Sequence, residues 1–527
     1  MRNAIVTCMV IALPVLIYAG VVHGQTRFVA TYGAVSTGNF VNTHMVVHQT
    51  TGDISLCGYY SGSSAFGGKD LNSGGEASQA FLMRLNSAGA VKWIREIQGT
   101  GVQRAFGTAV DGSGNSYVIG ESTGSAVIQG GANDAMALAQ GGTYMFVAKY
   151  SADGDLLWAR TGVCVDENSI GEVSGSAVTV DTSGNVYATG WFMDSVSFGE
   201  EPEKQYSGSI FPTNIFVTKY DATGEVEWVR AVTDSDRCRI HGVAAAGAES
   251  VTIAGEFSGT ASFDANHTIT SSGDSDVFIA RYSAAGAVQW ARKAGGAGAD
   301  SAYGLAMDST GTTVVSGRIA RGAADFGEGV EVAGSGDGSG FVARYDSLGT
   351  PSWAVVLGGA GGSEARGVSL GQSGIIAVTG AFSGEVVFPG KYLVSRGGTD
   401  VIVAFYEPTG AFVSAISAGG ESDDDRGRAA AWQDALLVVT GNRGTNLEPE
   451  GGVLFLTFVG DVSPDGTIPG DYNLDGHVDL NDVIGMLQMI IRSGIAAEGA
   501  IAGDVTGDGY VGLEDVIAVL QKVALLR

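Results

Sequence analysis

The chain has 527 residues, of which 83 are glycine and 9 proline, and hydrophobic residues make up 45% of it. So much apolar material excludes a disordered chain, and abundant glycine with 16% charged residues favours many short strands and tight turns. The 29 Lys and Arg residues against 56 Asp and Glu residues give a net charge of −27, which makes nucleic acid and anionic membrane surfaces unfavourable partners.

Residues 1–24 have the pattern of a secretory signal peptide. Arg2 supplies the positive start, an apolar run extends from Ala4 to Ala19, and Gly24 ends a stretch of small residues at the expected cleavage side. The run is short for a membrane span, although a retained anchor helix is the alternative. We therefore predict an exported protein without a membrane span in its mature chain.

A strand pattern that ends in glycine recurs seven times. Three further strand types recur with it: one opens each unit, one begins with Phe, as in residues 146–150, and one carries a Trp. Four strand types in seven copies are typical of a repeat protein. The strand-ending glycines are spaced by 61 to 70 residues, and the Trp recurs in five copies: Gly58, Gly120, Gly190, Gly255, Gly317, Gly380 and Gly441; Trp93, Trp158, Trp228, Trp290 and Trp353.

The connections predict how these strands group into sheets. Short turns such as residues 151–154 join the Phe-type and Trp-type strands into hairpins. Longer acidic segments lead from each Trp-type strand to the next unit, as expected for crossings between four-stranded meanders. We predict an all-β, seven-bladed β-propeller over residues 25–459. Its first strand, in residues 28–32, is expected to pair with its last, in residues 454–458, and to close the ring.

The repeated tryptophans and turn aspartates have structural interpretations. A large ring fills the wedge between neighbouring sheets. Asp111, Asp181 and Asp308 precede Ser/Thr-Gly turns, where an Asp side chain caps its own turn. We therefore assign neither set to catalysis.

The repeat also has a family resemblance. The frame Gly-x-Phe-Ser-Gly-x-x-x-Phe occurs at residues 255–263 and 380–388, and Asp-Val-Phe-Ile-Ala-Arg-Tyr follows at 276–282. Over about residues 26–459 the chain resembles the bacterial seven-bladed β-propeller repeat family. Ile128 replaces the second Phe in one blade, and the seventh blade is short between Gly441 and Leu454. The resemblance implies the fold and no defined activity.

A linker at residues 460–469 precedes a different domain, predicted over residues 470–527. In it, an Asp-rich loop occurs twice, 33 residues apart, with oxygen ligands at alternate positions around a glycine. This EF-hand-like spacing wraps hard oxygen ligands around calcium, so we predict two calcium ions as cofactors. The second loop has fewer carboxylates and should bind more weakly. The predicted ligands are Asp471, Asn473, Asp475, His477, Asp479 and Asp482 in the first loop, and Asp504, Thr506, Asp508, Tyr510 and Asp515 in the second.

Each loop is followed by apolar residues at helical spacing, in residues 480–490 and 513–523. The duplicated loop–helix unit resembles a type I dockerin over about residues 470–527. The resemblance implies a small helical domain that folds around calcium and docks into a cohesin on a scaffolding or surface protein. It implies partner contacts at loop positions 10 and 11, where the Ser-Thr pair of well-known members is absent. A calcium-stabilised module without a partner is the alternative. The residues at these positions are Leu480, Asn481, Leu513 and Glu514.

Few residues point to catalysis. The histidines lack metal-ligand spacing, and neither a nucleophile elbow nor a phosphate-binding loop is present. Acidic residues cluster between the blades and would form a carboxylate-rich rim if these segments ring one mouth of the propeller; solvated loop charges are the alternative. These acidic residues are Asp166, Glu167, Glu172, Asp234, Asp236, Asp300, Glu364, Glu421, Asp423, Asp424 and Asp425.

Two functions of different classes remain open. The favoured hypothesis is a secreted, non-catalytic binding protein that recognises a glycan or a protein at the propeller rim. A cohesin-type partner would hold this protein outside the cell or at the cell surface. The alternative is a dockerin-tethered enzyme that hydrolyses O-glycosyl bonds in polysaccharides with paired rim carboxylates. No catalytic pair is assigned.

The mature chain has three cysteines, Cys57, Cys164 and Cys238, which are too few for a disulfide scaffold. A disulfide between Cys164 and Cys238 and free thiols are the two alternatives.

Overall fold

The computed structural model describes most of residues 27–459 and two short strands further on. Every regular element in this part of the chain is a β-strand, and no helix within it is long and apolar enough to cross a membrane. The predicted signal peptide and linker lie outside the described residues, as does the C-terminal domain apart from the paired strands Ala497–Glu498 and Tyr510–Val511. Within residues 27–459 the gaps are 29–34, 37–39, 67–68, 76, 88, 132–134, 138–141, 165–170, 199–204, 208–213, 372, 420–423, 434–435 and 444–452.

The described strands form seven antiparallel meanders of four strands, here called blades 1 to 7 in chain order. The innermost strands are Phe40–Val47, Gln103–Val110, Val173–Val180, the second half of Val226–Ala246, Ser301–Met307, Ser363–Leu370 and Asp425–Gln433. The second strands are Ile54–Tyr60, Ser116–Thr123, Val186–Phe192, Ser250–Asp264, Thr313–Ile319, Ile376–Phe382 and Leu436–Arg443.

The remaining two strands of each blade form its outer hairpin. The third strands are Gln79–Leu85, Thr143–Tyr150, Asn214–Tyr220, Asp276–Ser283, Ser339–Tyr345, Asp400–Tyr406 and Val453–Val459. The outermost strands are Val91–Gly99, Leu156–Gly162, the first half of Val226–Ala246, Val288–Gly296, Pro351–Leu357, Phe412–Ala418 and, for blade 7, Arg27–Phe28.

The blades close into a ring. Each innermost strand packs against the innermost strands of the blades before and after it, and that of blade 7 packs against that of blade 1. Blade 7 combines both ends of the region, because Arg27–Phe28 pairs with Val453–Val459. Inner strands approach closely where the chain has glycine: a Cβ on Gly367 would lie 2.8 Å from Cα of Ala429. The described residues therefore form a β-propeller.

The segments between blades differ from the sequence prediction. Most are short, because the innermost strands begin earlier than the pattern indicated: three residues separate Gly99 from Gln103, although ten separate Gly162 from Val173. In blades 1 to 6 the longer insertion follows the second strand and forms a small hairpin. That hairpin pairs with the end of the preceding blade, as Gly295 does with Asp325. The hairpin strands in the described residues are Ser63–Phe66 with Lys69–Asn72, Ala126–Gln129 with Ala135–Ala137, Ser195–Ser197 with Gln205–Ser207, the end of Ser250–Asp264 with His267–Thr270, Gly322–Asp325 with Glu331–Gly334, and Glu385–Phe388 with Lys391–Val394; the isolated strand Val35–Ser36 pairs with the first of them.

The repeated tryptophans join neighbouring blades, as predicted. Trp158 in blade 2 is 9% exposed, and its indole N–H donates to the carbonyl of Ala222 in the outer turn of blade 3 at 3.3 Å. Gly224 in the same turn has φ +87°, and a Cβ there would lie 2.8 Å from the indole ring. Equivalent Trp-to-carbonyl bonds join the next blades in four further places: Trp93 to Ala152, Trp228 to Ala284, Trp290 to Ser347, and Trp353 to Pro408.

The turn aspartates cap their own turns, also as predicted. The Asp308 carboxylate accepts hydrogen bonds from the backbone amides of Thr310 and Thr312, both at 2.9 Å. Asp111 and Asp181 bind the amides of their turns in the same way. These carboxylates are therefore engaged by the backbone amides of their own turns.

Candidate ligand site on the inner wall of the ring

The acidic residues predicted to form an open rim occupy several different environments. Asp300 is 1% exposed and accepts backbone hydrogen bonds from Gly296 and Ala320 at 2.6 and 2.7 Å. Its burial raises its pKa. Asp425 is also buried, at 2% exposed. The rim prediction is wrong for these two residues, since they lie where a crossing enters an innermost strand.

The other rim candidates do not form one carboxylate cluster in the described residues. Asp236 and Asp424 are exposed, and Glu172 is partly exposed. Asp424 accepts a hydrogen bond from the Thr399 amide at 2.9 Å. The backbone of Asp234 is described but its side chain is not, and four candidates lie outside the described residues: Asp166, Glu167, Glu421 and Asp423.

The predicted calcium ligands and partner-binding residues also lie outside the described residues. The exception is the backbone of Tyr510, whose strand Tyr510–Val511 pairs with Ala497–Glu498. In the part of the chain that is described, no group of three or more His, Cys, Asp or Glu side chains is arranged to hold a metal ion. Calcium binding and cohesin docking therefore stay predictions from the sequence.

A different set of polar residues gathers on the inner wall. Each innermost strand has a register shift near its start, which leaves one residue unpaired in a β-bulge. A bulge re-aims a side chain away from the regular ladder. In four consecutive blades these residues include two arginines and two rings. The seven bulge residues are Thr43, Phe106, Ser176, His241, Tyr303, Arg366 and Arg428.

The bulge residues of blades 4, 5 and 6 contact one another. The Arg366 guanidinium lies over the Tyr303 ring, with Cζ 4.8 Å from its centroid. The imidazole of His241 meets the same ring edge-on at a centroid distance of 5.7 Å. Burial raises the pKa of Tyr303 and lowers that of His241. These three side chains form a continuous contact along the inner wall.

Glu364 positions the Arg366 side chain. Nε and Nη2 of Arg366 donate to the two carboxylate oxygens of Glu364 at 2.6 and 2.9 Å. Burial by itself raises the pKa of Glu364, but the hydrogen bonds and charge of Arg366 leave it below its ordinary value. Both side chains stay open to solvent, at 24% exposed for Arg366 and 15% for Glu364. A bidentate pair of this kind fixes the plane of the guanidinium.

Blade 7 contributes two more arginines, Arg426 and Arg428, to this part of the inner wall. Arg428 occupies the same bulge position as Arg366, and a Cβ on Gly367 would lie 3.0 Å from the carbonyl oxygen of Arg428. Burial and the nearby positive charge of Arg366 lower the pKa of Arg428 to about 10, and Arg426 adds to that repulsion. Nε of Arg428 is buried and makes no hydrogen bond to a described residue. Together we call six residues the inner polar cluster: His241, Tyr303, Glu364, Arg366, Arg426 and Arg428.

Polar residues continue around the wall on both sides. In blade 2, Arg104 pairs with Glu121 at 3.4 Å and lies over the Tyr59 ring of blade 1 at 5.4 Å. In blade 4, Arg237 pairs with Glu256 at 3.2 Å. These arginines have a carboxylate partner, whereas Arg426 and Arg428 share the single carboxylate of Glu364 with Arg366. The unbalanced positive charge is therefore at blades 6 and 7.

The sequence prediction missed this cluster, although a signal for it is present. Five units share the motif x-small-x-small at the start of the innermost strand, as in Glu364-Ala-Arg366-Gly and Arg426-Gly-Arg428-Ala. The small residues are required where inner strands touch, and the x positions vary from Ser to Phe, Tyr and Arg. Chemical variety inside a strict repeat marks positions that packing does not dictate.

Two other features in the described residues do not add to the site. Cys57, Cys164 and Cys238 are thiols rather than disulfides, and burial raises the pKa of Cys57 to about 12. A surface hollow of about 290 Å³ lies away from the inner wall, on outer strands and turns. It is lined by His267, Gln289, Trp290, Arg292, Ser347 and Leu348.

No family model and no curated protein matches the chain. Among solved structures, polysaccharide lyase Uly1 aligns with a TM-score of 0.41 and 10% identity, over 86% of this chain and 94% of that one. YCF48 bound to D1 peptide aligns with a TM-score of 0.34 and 8% identity, over 86% of this chain and 100% of that one. Virginiamycin B lyase from Staphylococcus aureus has a TM-score of 0.27 and 8% identity, over 67% of this chain and 94% of that one. At these scores the assignment of the β-propeller rests on the sheet order and ring closure described above.

Proposed function

We propose that this chain is an exported binding protein of the bacterial β-propeller repeat type. Its propeller binds a glycan or a protein ligand at the inner polar cluster without chemical conversion. Its C-terminal module binds two calcium ions and docks to a cohesin-type partner that presents the propeller outside the cell or at its surface.

The observation that carries the proposal is the convergence of charged and aromatic side chains from blades 4 to 7 on the inner wall. Arg366 is 24% exposed, lies over the Tyr303 ring at 4.8 Å and is held by Glu364, which is 15% exposed. Charged groups that are partly open to solvent and fixed by their neighbours are suited to bind a polar ligand. A ring of four-stranded sheets holds them on rigid elements, as binding sites require.

The enzymatic alternative has less support in the described residues. Hydrolysis of a glycosidic bond uses two carboxyl groups across the scissile bond. Glu364 of the inner polar cluster is engaged by Arg366 at 2.6 Å, and Glu256, whose charge acts on His241 and Tyr303, is paired with Arg237 at 3.2 Å. Asp300 is bound to backbone amides. We therefore propose no catalytic pair.

Calcium binding by the C-terminal module is supported by the chemistry of its donor set. Carboxylate and carbonyl oxygens at alternate loop positions suit calcium, which takes six to eight oxygen ligands. The cohesin-type partner is the finer part of the proposal and rests on the dockerin resemblance alone. A pull-down with immobilised cohesins of several classes, with calcium and then with EDTA, tests it; no capture in calcium would leave a module without that partner.

Binding by the propeller is tested with the mature protein on glycan and protein arrays. A reducing-end assay on the polysaccharides that bind should give no release above a boiled control. Array binding without release supports the proposal. Sustained release from any of them would make the protein an enzyme and contradict it.

A further inference from the structure

We infer that the inner polar cluster binds the carboxylate group of an acidic sugar. This inference rests on the proposed function, because it names the chemical class of the ligand that the propeller recognises. It concerns the arginines of blades 6 and 7 and the rings of blades 4 and 5.

The cluster carries an excess of positive charge. The chain carries a net charge of −27 and has only 29 Lys and Arg residues, yet three arginines and one glutamate meet on adjacent inner strands. Repulsion between partly buried like charges destabilises the free protein locally. A bound anion relieves that repulsion, and clefts of one sign concentrate ligands of the opposite sign. The cluster therefore favours an anion.

The donors of the cluster are planar guanidinium groups. Glu364 holds Nε and Nη2 of Arg366, so its Nη1 edge remains outside that pair. Arg426 and Arg428, both partly exposed, add two guanidinium groups from the adjacent blade. Planar guanidinium groups recognise the two oxygens of a carboxylate in a paired arrangement that lysine cannot reproduce. All six cations on the innermost strands are arginine: Arg104, Arg237, Arg239, Arg366, Arg426 and Arg428.

The cluster also combines its charges with polar rings. It lies on innermost strands that touch each other around the axis, and the rings of His241 and Tyr303 line its side. The hydroxyl groups of a sugar suit the neighbouring His and Tyr donors and acceptors. Two sources carry this chemistry, namely a free sugar acid and the terminal uronate of a linear polysaccharide.

Isothermal titration of the mature protein with galacturonate and with galactose tests the inference. The two sugars differ at C6, where one has a carboxylate and the other a hydroxymethyl group. We expect galacturonate to bind and galactose to bind at least about tenfold more weakly, as for loss of a charge-assisted hydrogen bond. Tri-galacturonate that binds more tightly than the monomer identifies a polysaccharide end, and equal binding identifies a free sugar acid. Equal affinity for galactose and galacturonate would overturn the inference.

Three variants localise the binding. Arg428→Gln and Arg366→Gln each remove one charge from the cluster and should weaken galacturonate binding by about ten- to hundredfold. Arg428→Lys keeps the charge but loses the planar fork, so it should recover only part of the affinity. Arg396→Gln is the matched control, because Arg396 is exposed on another part of blade 6. It removes the same charge and should bind as the unaltered protein does.

The two proposals fail in different ways. If the arrays reveal a ligand whose binding is unchanged in Arg428→Gln, the binding function stands and the sugar-acid site is wrong. If acidic peptides bind at Arg428 and no sugar acid does, the sugar assignment is also wrong. If no array ligand and no sugar acid binds, both proposals fail. The comparison of galacturonate with galactose needs no variant, so it tests binding of the sugar carboxylate even if Arg428→Gln does not fold.

Discussion

The tryptophan contacts between blades give a quantitative prediction for ring stability. Trp158 is 9% exposed, and it packs against Tyr117 and Tyr220 with ring centroids 6.1 Å away in each case. Its neighbour Leu157 is 51% exposed. Replacement of each by Ala therefore removes a large side chain from opposite faces of the same strand. Comparison of the two Ala variants separates the stability that comes from the blade interface from the stability that comes from the strand itself.

The expected magnitudes follow from burial. Trp158→Ala removes a buried ring from between blades 2 and 3 and should lower the free energy of unfolding by about 3–5 kcal/mol. Leu157→Ala should change it by less than about 0.5 kcal/mol. Gly224→Ala should also destabilise, because its φ of +87° disfavours Ala and its Cβ would lie 2.8 Å from the Trp158 ring. In the double variant Trp158→Ala/Gly224→Ala the clash is gone, so the two losses should be less than additive.

Urea unfolding followed by circular dichroism, applied to the unaltered protein and all four variants, gives the coupling energy. A Trp158→Ala loss no larger than that of Leu157→Ala would refute the role of the indole between blades. Strict additivity of Trp158→Ala and Gly224→Ala would show that the ring and the turn of blade 3 do not interact.

Three further predictions concern protons, thiols and calcium. Burial alone raises the pKa of Asp308, but hydrogen bonds from Thr310 and Thr312 outweigh burial and leave the pKa below its ordinary value. The ionised Asp308 therefore stabilises the folded protein above the unfolded pKa of about 3.9, and this contribution is lost as the pH falls through the folded pKa. The stability difference between the unaltered protein and Asp308→Asn should therefore shrink from about pH 6 to about pH 2 in urea titrations, and a constant difference would contradict it. Burial raises the pKa of Cys57 to about 12, so its thiol should react slowly with iodoacetamide in the native protein. Mass spectrometry should find Cys57 unalkylated in the native protein and alkylated in urea. Rapid alkylation of the native protein would show that the core of blade 1 is open to solvent. Chelation with EDTA should abolish hydrogen-exchange protection in residues 470–527 while the β-sheet circular dichroism persists, and unchanged protection there would exclude a calcium-dependent fold.

Much of the propeller is predictable because each blade repeats the same local chemistry. Strand-ending glycines such as Gly255 and Gly380 face the backbone of the innermost strand at a distance that excludes a side chain. The Trp and the turn glycine of the next blade form a second fixed contact. The glycine contact recurs in all seven units and the Trp contact in five, so together they produce a visible period. The pairing of the terminal strands follows from counting strand types.

The inner polar cluster was less accessible to sequence reasoning for a physical reason. Arg366 and Arg428 are 62 residues apart in the chain and meet only because blades 6 and 7 are adjacent. The bulge that re-aims them is a register shift, and local composition does not specify it. The same lack of spatial information led to an expected rim containing Asp300, which instead accepts hydrogen bonds from the backbone amides of Gly296 and Ala320.

Hydrogen–deuterium exchange of the mature protein, with and without tri-galacturonate, tests the central claim most directly. We predict new protection in the innermost strands Ser363–Leu370 and Asp425–Gln433 and no change in the outer hairpin Glu385–Phe388 with Lys391–Val394. Protection confined to the outer hairpins, with the two innermost strands unchanged, would contradict ligand binding on the inner wall.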